Sequence, residues 1–280
     1  MLNIPMYQSY NGETKIALID NSTIAFMEQM KRVGISAKEI LCGYDKILIP
    51  NWVLEEVHDS IYREIYIEGL IKEGFPIYSI AEENYADFVD GEENNLYRIV
   101  YAAVSTLGAM KSYLHRNVEK VDSLDMDAYS TWIKELYNEW PLSKSTTENG
   151  RTKKKNAGEI SLTILAEVFS WYYPMTESIT VYTQDRDSYE YQRNAHEKLK
   201  ETFSNRMAVG VSYKSNDAIL CQMYRSGMIT LSQINDIRKD DRVVIYTRKR
   251  EDESVALISE KIKNQEFTKL LQDNTVQVIF

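Results

Sequence analysis

Apolar residues fall along this chain in two rhythms. Short runs, Ile16–Ile19 within KIALID and Ile47–Ile49 within KILIP, have the length and continuity of strands buried in a parallel sheet. GFPIYSI (Gly74–Ile80), ITVYT (Ile179–Thr183) and Met207–Tyr213 read the same way. Between them the spacing changes to that of helices. Thr23–Val33 carries Ile24, Met27 and Met30 near one face and stops at Gly34. Trp52–Lys72 reads as one helix with Val53, Leu54, Val57, Ile61 and Ile65 on a single stripe. A helix beginning near Ala157 has Leu162, Leu165, Ala166 and Phe169 on its core face, and Ser188–Thr202 and Ser215–Gly227 follow as helices. Alternation of this kind predicts an α/β fold, a parallel β-sheet of about five strands flanked by helices.

Two stretches interrupt the alternation. From about Asn84 to Trp140 the pattern is helical with no strand signal, which predicts an insertion of two or three helices over about 84–150. It ends in Ser143–Lys155, a Ser/Thr/Lys-rich segment without periodicity that reads as a mobile loop. The C-terminal stretch reads as strand (RVVIYTR), helix (SVALISEKIKNQEFTKLLQ) and strand (TVQVIF). The expected division is a main domain over 1–230 and a C-terminal extension over 231–280.

Composition narrows the function. A hydrophobic fraction of 44% and a charged fraction of 27% suit a globular protein with a full core. There is no apolar run of membrane-spanning length and no signal-peptide pattern, so a cytoplasmic location without membrane contact is expected. Cys42 and Cys221 are too few for a disulfide framework or a zinc cluster, and the three histidines are scattered. A net charge of −9 argues against a generic polyanion binder, although RTKKK (Arg151–Lys155) and RKR (Arg248–Arg250) concentrate positive charge locally.

The acids supply the candidate chemistry. Asp20 ends the first strand, Glu55 and Glu56 open the helix after the second, and Asp185 and Asp187 follow ITVYT. In a parallel sheet these positions share one edge, where ligands bind. Each also has an ordinary structural explanation. Asp20 and Asp187 suit helix N-caps, Glu56 a solvated surface, and Asn156 with Glu159 resembles a capping box. Glu159 opens a helix that leads into a strand, so simple strand–helix topology places it at the opposite end of the sheet.

In order along the chain, IALIDNS, ILIPNWVLEEV, GEISLTILAEV and VYTQDRD resemble the motifs of the PIN-domain family of metal-dependent ribonucleases. Pro50, Val53 and Glu56 match its proline–valine–glutamate pattern, Glu159 its helix-opening acid, and Thr183 and Asp185 its T-x-D, with Asp187 as an additional acid. SNDAILCQMYRSGMI (Ser215–Ile229) is similar to the family's final helix. The resemblance covers roughly 15–74 and 157–227; the insertion and the C-terminal extension depart from the compact family form.

The resemblance implies that Glu159 joins the other acids. It further implies that Asp20, Glu56, Glu159 and Asp185 are catalytic and hold Mg²⁺ or Mn²⁺, with Asp187 as a further ligand and Asn21, Ser22 and Thr183 orienting them. RNA is the implied substrate, its phosphates held by Lys153, Lys154, Lys155 and Arg186. A toxin-like role would bring an antitoxin or other regulatory protein, and a homo-oligomer is left open. Two alternatives accompany this reading: a catalytically inactive protein-binding module and a DNA-cleaving relative. A haloacid-dehalogenase-type phosphatase also ends a strand in Asp, but needs a second Asp where this chain has Ser22.

Overall fold

Ile16, Ala17, Leu18 and Ile19 are sealed from solvent because their strand has neighbours on both edges and helices on both faces. In a computed structural model describing residues 2–118, 128–147, 150–250 and 252–280, this strand, β1 (Lys15–Ile19), is the centre of a five-stranded sheet. The chain continues through β2 (Lys46–Pro50), β3 (Ile77–Ile80), β4 (Lys144–Thr146), β5 (Thr152–Lys154), β6 (Ser178–Tyr182) and β7 (Val211–Lys214). The main sheet has the order β3-β2-β1-β6-β7, and all its pairings are parallel. The protein is therefore α/β with helices flanking a parallel sheet. The N-terminal segment covers the β3 edge, with Ser79 N donating to Pro5 O and Tyr7 N to Ser79 O.

The Ala157–Tyr172 helix is the second axis of the fold. Every residue in it except Glu159 is buried. It packs against β1, β2 and β6, the helices Asn51–Val57, Glu93–Ala103 and Arg186–Thr202, and the 3-10 turn Glu82–Phe88. A helix buried all round must be wrapped on every side, and its polar residues must find partners there, as Glu167 does with Trp171 and Gln192. Of the inserted helices, Glu93–Ala103 supplies part of that wrapping, while Tyr129–Glu139 packs on it and on Glu82–Phe88; Gly108–Asn117 lies between them in sequence. The expected insertion also runs over 119–127 and 148–149, which lie outside the described residues.

Four expectations need correction. The Trp52–Lys72 helix is two helices, Asn51–Val57 and Ile61–Lys72. His58, Asp59 and Ser60 intervene, and short polar side chains compete for the backbone hydrogen bonds a helix needs. The break turns Ile61 and Ile65 out of the apolar stripe into solvent. Ser143–Lys155 contains an antiparallel hairpin of β4 and β5 where a loop was expected. Lys144 anchors it by donating from Nζ to Glu139 O, at the end of a helix.

Asn156 and Glu159 do not form a capping box. Asn156 adopts φ 62° and donates from Nδ2 to Tyr191 Oη at 2.6 Å. Finally, SVALISEKI is not helical. It forms β9 (Val255–Ile262), paired antiparallel with β8 (Arg242–Lys249), and only Asn264–Gln272 is helical before β10 (Val276–Val278). Pairing with β8 at eight successive positions holds Val255–Ile262 extended despite its helical spacing, and the strands form a separate sheet, β10-β8-β9.

A buried carboxylate on the helix after β7 is among the ties that hold the C-terminal unit to the main domain. Asp217, in the first turn of Asn216–Arg225, is inaccessible, as is Arg238, whose Nε donates to it at 3.1 Å. Arg242 donates to the same carboxylate, while Arg238 Nη2 reaches Ile262 O at 3.1 Å and its guanidinium lies over the Phe267 ring. Removing one partner of a buried pair leaves an uncompensated charge, costing about 3–5 kcal/mol. Asp217→Ala should therefore lower the unfolding free energy in urea by about that amount. Arg242→Ala, at a side chain still 23% exposed, should cost distinctly less.

Candidate functional site

Because all five strands of the main sheet run the same way, their ends deliver Asp20, Asn51, Glu82, Thr183 and Ser215 to one edge. Asp20 caps the Asn21–Arg32 helix and also anchors a wider hydrogen-bond network. Its Oδ2 accepts Ser22 N at 3.3 Å, Ser22 Oγ at 2.5 Å and Thr183 Oγ1 at 3.0 Å. Ser22 Oγ accepts Gln184 N, and Thr183 Oγ1 accepts Asp185 N, so one network locks the ends of β1 and β6 together. Asp185 caps the next helix by accepting Asp187 N at 2.8 Å.

Glu159 lies at this edge, not at the opposite end. The Ala157–Tyr172 helix finishes next to the start of β6, where Glu177 and Ser178 donate to Thr14 O. A helix of 16 residues spans about 24 Å, so one that ends where a parallel strand begins must start beside that strand's far end. The strand–helix expectation omitted this return. Gly158 makes the approach close: a Cβ there would sit 3.2 Å from Val53 Cγ2 and 3.8 Å from Asp20 Oδ1.

The charges feel one another. Burial raises the Asp20 pKa against the lowering effect of Ser22 and Thr183. Glu159 is pushed up to about 9, first by burial and then by Asp20 and Asp185, so it is neutral at pH 7. Its Oε2 is buried with no donor aimed at it, while the carboxyl also hydrogen-bonds that of Asp185. Glu56 is raised by burial and by Asp20, opposed by Lys153. The Lys153 ammonium reaches Glu56 Oε2 at 3.1 Å, and Asn21 Nδ2 donates to the same oxygen at 3.3 Å. Glu55, its neighbour, is exposed. Asp187 is exposed at the rim, raised by partial burial and by Asp185.

The predicted phosphate ligands divide. Lys153 is paired with Glu56. Lys154 lies 3.1 Å above the Tyr137 ring centroid, with its pKa lowered by burial to about 8. Lys155 is exposed near Asp187, and Arg186 is exposed and paired with Glu190 at 3.1 Å. Among the described residues, no group of three or more His, Cys, Asp or Glu side chains stands close-set enough to hold a metal ion as placed. The donor set nevertheless suits a hard cation, being all carboxylate and including an orphaned buried oxygen on Glu159. Like charges at close range separate or take up protons when no cation lies between them.

Several residues here escaped the sequence reading. Arg63 Nη1 donates to Asn21 Oδ1 at 2.7 Å and to Glu56 O at 3.2 Å, which turns the Asn21 amide nitrogen toward Glu56. Asn216 donates its N–H to Gln184 Oε1, and its Oδ1 accepts Thr23 Oγ1. Arg63 lies inside a helix, away from any strand end, so only three-dimensional proximity identifies it; Asn216 follows the end of β7 and could have been picked out by that position.

Glu82 was missed too, though its position after β3 parallels that of Asp20 after β1. It serves structure: Oε1 accepts Trp52 N at 2.9 Å and Ser161 Oγ at 2.6 Å. Burial pushes its pKa to about 8. Since the folded value lies above the unfolded one, wild-type stability falls as pH rises from the ordinary carboxylate range toward 8. Glu82→Gln escapes that loss. In denaturant titrations at successive pH values, the variant should gain on wild type by about 1.4 kcal/mol per pH unit through this window and no further above it.

No family model, no curated protein and no solved structure matches this chain.

Proposed function

We propose that the chain is a PIN-like, divalent-metal-dependent endoribonuclease that hydrolyses RNA phosphodiester bonds at the Asp20 edge of the sheet. The observation that carries the reading is Glu159, a nearly buried carboxyl with an unpartnered oxygen, facing Asp20 and Asp185. Burying three acids together is unfavourable unless a cation enters among them. Asp20, Glu56, Glu159 and Asp185 would hold Mg²⁺ or Mn²⁺, with Asp187 assisting from the rim. A divalent ion held there supplies Lewis-acid polarisation of the phosphodiester and eases deprotonation of a water.

The chain's own groups do the rest. Ser22 and Thr183 fix Asp20 through Oδ2. Arg63 fixes Asn21, which fixes Glu56. Lys153 occupies Glu56 in the absence of substrate, so it exchanges that carboxylate for a phosphate when RNA arrives. Lys154, Lys155 and Arg186 extend the positive rim. The recess beside Glu56 has only about 10 Å³, room for one water-sized group. The β4–β5 hairpin that closes it must therefore shift to admit a nucleotide. The insertion and the C-terminal unit offer surfaces for a regulatory partner such as an antitoxin.

Asp20→Asn should reduce Mn²⁺-dependent cleavage of single-stranded RNA by about 100-fold or more, on the scale of a lost charge stabiliser, with the thermal midpoint retained. Equal rates in wild type and variant would refute the metal site, and a parallel DNA panel decides the nucleic acid. Metal binding can be read without activity. Glu159 must lose its proton to act as a ligand, so Mn²⁺ affinity measured by calorimetry should rise about tenfold per pH unit between 6 and 8. Glu159→Gln should remove that slope.

A further inference from the structure

The break at His58–Ser60 has a second result besides interrupting a helix. It sets Ile61, Tyr62 and Ile65 outward on the first turns of Ile61–Lys72, at 59%, 63% and 58% exposure. Three large apolar side chains together on a helix face have no packing reason to be there. They lie next to the acidic edge, since Arg63 on the same turn holds Asn21 and the Glu56 carbonyl.

A shallow groove of about 590 Å³ opens against this turn, lined by Ile61, Tyr62 and Arg151 among others. That volume falls within the range of about 300–1,000 Å³ usual for small-ligand sites. Asp59 and Arg151 line both this groove and the small recess beside Glu56, so the two adjoin. The Tyr62 ring is held in place on one side. The Arg32 guanidinium lies 5.2 Å from its centroid and is itself anchored by Glu28 at 2.5 Å. At 63% exposure most of the Tyr62 side chain remains open to solvent.

An open aromatic face with apolar neighbours and cations at its margins suits a planar, electron-rich ring attached to a polyanion. The groove also contains Asp59 and Glu64, which repel a phosphate and tolerate a base. We propose that this groove binds one unstacked base of the RNA strand, on Tyr62, while the strand's phosphates continue past Arg151 to the acids. The assignment rests on the ribonuclease reading and adds to it a base-binding position outside the reacting centre. Sequence-tolerant stacking of this kind contributes about 1–3 kcal/mol per base, or about 5- to 150-fold in affinity.

The test uses the full-length chain in EDTA, with a short fluorescein-labelled single-stranded oligoribonucleotide followed by anisotropy. Tyr62→Ala should weaken binding about 5- to 150-fold, and Tyr62→Trp should keep it. A series of oligonucleotides with one abasic position each should contain one member that wild type binds as poorly as Tyr62→Ala binds the intact strand. That member should lose nothing further in the variant. The proposal is overturned if Tyr62→Ala binds and cleaves like wild type. It is also overturned if light scattering shows that Tyr62→Ala dissociates a dimer while RNA affinity is unchanged, which would make the patch a protein contact. Wild type that cleaves RNA while Tyr62→Ala is unimpaired rejects the stacking site alone. Wild type that neither binds nor cleaves RNA under any metal rejects the ribonuclease reading with it.

Discussion

One helix, Ala157–Tyr172, sets the terms for the rest of the molecule. Fifteen of its sixteen residues are buried, so sheet, insertion and neighbouring helices must all close around it. Its single exception is Glu159, placed in the first turn, where the helix dipole favours a negative charge. Yet burial and two neighbouring acids keep that carboxyl protonated at neutral pH. Dipole and surroundings thus pull in opposite directions on one group. An added cation would side with the dipole.

Two kinds of acid share this edge and are told apart by their partners. Glu82 has its hydrogen bonds with the start of one helix and the interior of another, and acts as a strut. Asp20 gathers its bonds onto Oδ2, while Oδ1 faces the start of the Ala157 helix. Glu56 is balanced between Asn21 and Lys153. A strut and a candidate ligand can therefore sit at equivalent strand ends in one sheet, and the number of bonds is less telling than which oxygen they leave open.

The strands were readable because burial on both faces leaves an uninterrupted apolar signature, as in Ile16–Ile19 and Ile47–Ile49. Asp20, Glu56 and Asp185 were readable as neighbours because parallel strands align their ends. Glu159 was placed by resemblance, since strand–helix counting missed the return of a helix into β6. The helix break at His58–Ser60 was hidden by apolar residues that keep helical spacing on both sides of it. Val255–Ile262 was misread because a half-exposed antiparallel strand of a small sheet has weak alternation. Arg63 carries no local pattern and its role arises from a contact 42 positions away, whereas Asn216 stands at a strand end but meets its partner 193 positions away in sequence.

The buried Asp217 carboxylate bears on how divisible the protein is. It sits one residue after Asn216, which holds Gln184 beside the acidic edge, yet its counter-charges come from Arg238 and Arg242. A shortened chain stopping before residue 238 would keep every strand of the main sheet and still leave a naked charge in its interior. The C-terminal sheet is thus not a detachable module. Removing it would require removing the Asp217 charge as well.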